Sequence, residues 1–198
     1  MPVLTRSFFA RSVHIVARDL IGCKLLHQGI GGIIVETEAY NHEDPAAHVY
    51  LNRRTERNAV MFGPPGRAYV YFTYGMHHLL NIVCEEEGHA AGVLIRALEP
   101  TDGIGEMRRR RAPVHELAQL TNGPGKICQA LGIDLRQYGI PVYRGELKIY
   151  ARDADWQKPR IVTTPRIGIR VGVNREWRYC AADSRFLSRK LKAKGADQ

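Results

Sequence analysis

The apolar positions divide the 198-residue chain into short segments. From Arg11 to Leu26 they recur at helical spacing, Val13, Val16 and Leu20, and then close up in Cys23-Lys24-Leu25-Leu26, which predicts a helix followed by a strand. Gly29 to Gly32 predicts a turn, and the β-branched run after it predicts a strand over 33–38. Asn41 to Arg57 is polar and irregular, a long loop of the kind that carries function. Ala68 to Thr73 and Leu79 to Cys84 predict two strands joined as a hairpin by Tyr74-Gly75-Met76-His77. Gly92 to Leu98 predicts a third strand, ended by Pro100, and 103–120 predicts a helix. Pro124 to Leu131 predicts a short helix, with proline near its start and Gly132 after its end. Strands near 140–150 and 167–173 complete the set. No internal repeat and no linker rich in Pro, Gly or Ser divides the chain. The expectation is a single compact α+β domain, 1–198, with a mostly antiparallel sheet and helices on its periphery.

Composition changes the picture in one respect. An apolar fraction of 44% and a charged fraction of 25% are ordinary for a globular protein, but a net charge of +9 is not. A basic excess of this size points to a polyanionic partner, nucleic acid before an acidic membrane surface. The four cysteines, Cys23, Cys84, Cys128 and Cys180, show no C-x-x-C spacing, which argues against a zinc site or a disulfide framework and for a reducing compartment. The basic N-terminus, with Arg6, Arg11 and Arg18, lacks the apolar core and cleavage site of a secretory signal. No run approaches the ~18–20 apolar residues of a membrane span. The chain reads as soluble and intracellular, cytoplasmic in a bacterium and nuclear in a eukaryote.

The candidate chemistry concentrates in Ile34-Val35-Glu36-Thr37-Glu38-Ala39-Tyr40, where an apolar strand climbs into two carboxylates and an aromatic ring. Strand side chains alternate, so Glu36 and Glu38 share a face, roughly 7 Å apart. They are either surface acids on an exposed edge or buried acids that are paired or used. Tyr69 and Tyr71 share one face of the first hairpin strand, and Tyr74 sits in the turn, where a large ring has no packing role but can wedge between bases. Asn81 and Arg96 lie inside apolar strands, so each needs an internal partner or a ligand. Asn122-Gly123-Pro124-Gly125-Lys126 opens a helix whose N–H groups can meet a phosphate, but it lacks the spacing of a Walker loop. Arg108 to Arg111 reads as a solvated helix face, and His77, His78 and His89 show no metal-ligand pattern.

Together these residues resemble a known family, the alkyladenine (3-methyladenine) DNA glycosylases of the mammalian alkyladenine type. The matching blocks are Val35 to Tyr40; Arg53 to Asn58 with Met61-Phe62; Tyr69 to Tyr71 with Tyr74 to Met76 and Asn81-Ile82; Leu94 to Pro100; and Asn122 to Lys126 with Gln129 to Ile133. They stand in family order over most of the chain. The resemblance implies a curved antiparallel sheet that projects a hairpin into the DNA minor groove. It implies Glu38 as the general base, Tyr40, His48 and Tyr71 as stacking partners of the extruded base, and Asn81 as the residue that clashes with the amino group of guanine. It further implies Arg96 beside the water and a phosphate, Tyr74 as the plug that fills the vacated stack, and Met76 as a second DNA-binding residue of the hairpin. Glu36 matches a position without a catalytic role. The chain departs from the family pattern in one place: His42 stands where the family has Gly, and His48 follows Tyr40 by eight positions rather than nine.

The reaction so implied is hydrolysis of the N-glycosidic bond of an alkylated purine in double-stranded DNA, with deaminated purines left open, as the first step of base excision repair. No lysine stands out as a Schiff-base nucleophile, which predicts a monofunctional enzyme, acting as a monomer, without metal or organic cofactor. Two rivals remain. A sugar-active glycoside hydrolase would use Glu36 and Glu38 as its acid–base pair, at a separation within the inverting range of about 6.5–9.5 Å. A non-enzymatic nucleic-acid-binding module would use the rings as stacking platforms alone.

Overall fold

The computed structural model describes residues 1–73, 75–154 and 159–191. Eight strands form one sheet: β1 (Lys24–His27), β2 (Ile30–Asn41), β3 (Ala68–Thr73), β4 (His77–Val83), β5 (Ala91–Asp102), β6 (Leu147–Tyr150), β7 (Ile161–Thr164) and β8 (Arg178–Ala181). The order is β3-β4-β5-β2-β1-β6, with β8 joined to β2 and β7 to β8. All of these pairings are antiparallel. The class is α+β, as its segments predict.

The two longest strands, β2 and β5, lie side by side at the centre. Register shifts at Gly31/Gly32, Ile34/Glu36 and Glu36/Thr37 bend them, so the sheet curls into a half-barrel. The other edge of β2 changes partner along its length: residues 30–33 pair with β1, and Glu36 to Glu38 pair with β8. That switch brings the chain's C-terminal third against the two acids.

The helices α1 (Arg6–Phe9), α2 (Val13–Asp19), α3 (Ile104–Arg110) and α4 (Pro124–Leu131) lie around the sheet. α2 buries Val13, Val16 and Ala17, and α4 buries Ile127, Cys128, Ala130 and Leu131, against a core that includes Leu25, Ile34, Leu80, Ile82, Ile95 and Leu98. α4 starts at its proline and stops at Gly132, whose φ of +71° is left-handed backbone that favours glycine. A second apolar cluster, Val49, Met61, Tyr69, Val83 and Ala90, packs beneath the loop that follows β2. Among the described residues no helix is long and apolar enough to cross a membrane, and the four cysteines are free and buried.

Several expectations need correction. The turn before β2 is confined to Gln28 and Gly29; Gly31 and Gly32 belong to the strand. A Cβ there would stand 1.9 Å from the carbonyl oxygens of Leu25 and Glu99, so both are required by backbone approach rather than by a turn. β5 runs through Pro100, which faces Gly32 where the register shifts and a missing N–H is tolerated. Of 103–120 only α3 and a 3-10 turn at Leu117–Leu120 are helical, because Pro113 disfavours helical backbone at Ala112. Residues 167–173 are not a strand. They belong to an irregular strap, 165–177, between β7 and β8.

Candidate active site

A cavity of about 520 Å³ opens where β2, β3, β4 and β5 meet the start of α4 and the strap. Tyr40, His48, Tyr71, Asn81 and Arg96 all line it, five residues that sequence reading had singled out separately. Glu38 does not. Its side chain is fully buried just beneath the lining, held by three groups that do face the cavity.

The Tyr40 hydroxyl donates to Oε2 of Glu38 at 2.7 Å, and Nη1 of Arg96 reaches the same oxygen at 3.2 Å. The backbone N–H of Ile167 donates to Oε1 at 2.8 Å. A carboxylate has about four acceptor positions, so these three donors leave one on Oε1. Burial, reinforced by the charge of Glu38, pushes the Tyr40 phenol well above its ordinary range, so it stays a donor. Burial opposes the charge on Arg96, but Glu38 and Glu36 outweigh it and hold the guanidinium protonated.

Glu36 has a different environment. Nε of Arg178 donates to it at 2.6 Å, the backbone N–H of Ser188 at 2.6 Å, the Ser188 hydroxyl at 2.7 Å and Nε of Arg96 at 3.2 Å. Neither acid lies on an exposed edge; β8 covers that edge at both positions. Arg96 bridges the two carboxylates, so the structure gives it two protein partners where the resemblance assigned it to water and phosphate.

The opposite wall is aromatic. The His48 ring lies 4.7 Å from the Tyr71 centroid, and Tyr69 lies 5.1 Å from Tyr71. Nδ1 of His48 and the Tyr69 hydroxyl share a hydrogen bond of 2.9 Å. Burial, and then the charge of Arg57, push the His48 pKa down, which favours the neutral ring. His48 lines the cavity, and Asn58 Nδ2 clamps its carbonyl at 2.8 Å. An arginine stacks on each outer ring: Arg57 at 5.0 Å from Tyr71 and Arg166 at 4.6 Å from Tyr40, neither lining the cavity. Asn81 sits mid-sheet between Tyr69 and Leu94, and its Nδ2 is buried without a hydrogen-bond partner among the described residues. A donor left unpaired in a cavity wall is poised for a ligand.

Sequence comparison identifies the family. The profile of methylpurine-DNA glycosylases matches residues 7–185. The chain belongs to the methylpurine-DNA glycosylase family. A Rhodopseudomonas palustris protein named "Putative 3-methyladenine DNA glycosylase" is 55% identical over 188 residues, covering 95% of this chain and 89% of its own length. Proteins of the same name from Nitrobacter winogradskyi and Carboxydothermus hydrogenoformans are 52% and 44% identical, covering 97% and 95% of this chain and 90% and 100% of their own lengths.

In this glycosylase the remaining wall comes from residues that local pattern placed less well. Gly123 and the first residues of α4, Pro124, Gly125 and Lys126, line the cavity beside Arg111 and His77. Burial, then the charge of Arg111, lowers the Lys126 pKa, and its Nζ donates to Asn122 Oδ1 at 2.7 Å. The Asn122 to Lys126 signal therefore faces the site. Ile167, Gly168 and Ile169 close the cavity from the strap and were missed, because an apolar pair around glycine reads as strand. Asp44 and Arg166 behind Tyr40 were missed too; Pro165 and Gly168 flanking Arg166 were the available turn signal. Met76 stands in the hairpin turn with its side chain exposed, and Phe72 on β3 is exposed as well. Tyr74 lies outside the described residues.

Proposed function

We propose that the glycosylase is monofunctional, acts as a single chain on double-stranded DNA, extrudes an alkylated purine into the cavity, and hydrolyses its N-glycosidic bond with a water activated by Glu38. The observation that carries this reading is the Glu38 carboxylate, buried under the cavity lining with three fixed donors and one acceptor position left on Oε1.

A purine in a duplex is out of reach, so the nucleotide must be flipped, and damaged or mispaired bases cost least to extrude. Tyr40, His48 and Tyr71 supply faces against which the flat base stacks. Alkylated purines often carry positive charge, and ring faces favour such cations by about 0.5–2 kcal/mol per good contact. Asn81 rejects guanine, because its unpaired Nδ2–H meets the amino group of guanine donor to donor and adenine has no such group there. The alkylated base is already a good leaving group. As the C1′–N bond breaks, its electron pair leaves with the base and the sugar gains oxocarbenium character. The water oxygen bonds to C1′, its proton passes to Glu38, and an abasic site remains. Arg96, anchored by Glu36, orients the Glu38 carboxylate for this step. From the hairpin, Tyr74 fills the gap left in the stack and Met76 contacts the DNA.

A two-carboxylate sugar hydrolase fits less well, since Glu36 receives four donors and does not line the cavity. Incubation with a duplex carrying one alkylated purine, followed by alkali, tests the proposal. Abasic sites revealed only after alkali, and absent with Glu38→Gln, are expected. Strand breaks before alkali would overturn the monofunctional reading, and tight binding without any base release would make the chain a binding module.

A further inference from the structure

The buried pair behind Tyr40 is not needed to form the cavity wall, yet it bears on two of the three donors that hold Glu38. Arg166 and Asp44 have no exposed side-chain surface. Nη1 of Arg166 donates to Oδ2 of Asp44 and, at 3.1 Å, to the carbonyl of Ala39, the residue between Glu38 and Tyr40. Nη2 donates to Oδ1 of Asp44 at 2.9 Å and reaches the Gly172 carbonyl at 3.5 Å. The guanidinium plane covers Tyr40 at 4.6 Å and approaches Trp177 at 5.1 Å. Gly172, at φ +63°, lies so close that a Cβ would stand 3.1 Å from Asp44 Oδ1 and 3.3 Å from Arg166 Nη2.

One side chain thus ties the end of β2, the loop after it and the strap into a single unit. The strap has no ladder of its own between Pro165 and Trp177, so its position depends on such ties. Two of the three donors on Glu38 follow from that position: the N–H of Ile167, next to Arg166 in the chain, and the hydroxyl of Tyr40, whose ring Arg166 covers. Stability alone does not call for a buried ion pair, since apolar groups of like size often serve as well or better. Geometry is what a bidentate, charged contact adds.

We propose that Arg166 and Asp44 are positioning residues, a latch that holds the strap and Tyr40 so that Glu38 keeps one acceptor position on Oε1 directed at the attacking water. The inference rests on the reading of Glu38 as the general base. Neither residue lines the cavity, so the latch acts through the groups it holds: chiefly on the rate of bond cleavage through Glu38, and to a lesser degree on lesion binding through Tyr40.

The test compares wild type with Arg166→Met, which keeps the bulk of the stem, and Asp44→Asn, which keeps the shape and removes the charge. Each is measured for single-turnover excision from a duplex bearing one alkylated purine, for affinity to that duplex, and for thermal unfolding. Misplacing a catalytic group by about 1 Å can cost ~10²-fold, so a rate loss of tenfold or more is expected, with a smaller loss of affinity. Rates within twofold of wild type in folded variants would overturn the latch, and so would affinity falling by as large a factor as rate. If Arg166→Met does not fold, Asp44→Asn decides; if neither folds, the pair is a folding element and the latch is rejected. Wild type that releases no base would instead sink the reading of function on which the latch rests.

Discussion

Glu36 and Glu38 share one guanidinium: Nε of Arg96 lies 3.2 Å from Oε1 of Glu36, and Nη1 lies 3.2 Å from Oε2 of Glu38. The two acids stand on one face of β2, but their surroundings give them different work. Glu36 also receives Arg178 and Ser188 and anchors Arg96. Glu38 lies beneath the cavity with an acceptor position left.

Substitution should separate these roles. Glu38→Gln is expected to slow single-turnover excision by ~10²–10⁴-fold, the usual cost of losing a general base, while lesion binding stays near wild type. Glu36→Ala leaves Arg178 and part of Arg96 uncompensated in the interior and should destabilise by about 3–5 kcal/mol. Excision assays and urea unfolding on both variants check this. A Glu38→Gln enzyme with near wild-type rate would remove Glu38 from the role.

Asn81→Ala should raise excision of ordinary guanine relative to an alkylated adenine. The amide presents a buried, unpaired donor to the cavity, and a donor that rejects a second donor acts by repulsion rather than by attraction. Competition between the two substrates in duplex DNA gives the ratio. If it does not change, Asn81 plays no part in selectivity.

His48 should make stability depend on pH in one direction. Burial lowers its folded pKa below 6.5, so on acidification the unfolded chain takes up this proton first. The contribution is complete above pH 6.5 and is lost as pH falls from there through the folded value. His48→Phe removes it, and the similarly lowered His14 is common to both proteins. Urea midpoints at about pH 7.5 and 5.5 should therefore drop more for wild type than for the variant. Equal drops would show that His48 is not the titrating group.

Two glycines should respond oppositely to alanine. At Gly32 a Cβ would lie 1.9 Å from the Glu99 carbonyl oxygen, so Gly32→Ala must part β2 from β5 and should cost about 3 kcal/mol or more. At Gly105, within α3, nothing lies within 4 Å, and Gly105→Ala should stabilise by about 0.5–1 kcal/mol. Thermal melts of the pair settle the matter, and equal melting temperatures would refute the close approach at β2.

Much of this protein is legible in local pattern. Period-two alternation placed the acids, Tyr69 and Tyr71 on strand faces, and proline and glycine marked the ends of α4, because these rules depend only on neighbours in sequence. Asn81 and Arg96 stood out for the same reason, as polar groups inside apolar strands that need partners. Pattern could not say which partners arrive. The N–H on Glu38 Oε1 comes from Ile167, the guanidinium behind Tyr40 from Arg166, and three of the donors on Glu36 from Arg178 and Ser188, all more than 120 residues away along the chain. The sequence by itself determined which strands carry ionisable and aromatic groups, and on which face. Only the tertiary structure decided that one acid is an anchor and its near neighbour a candidate base, since the state of a buried charge depends on the donors that long-range packing brings to it.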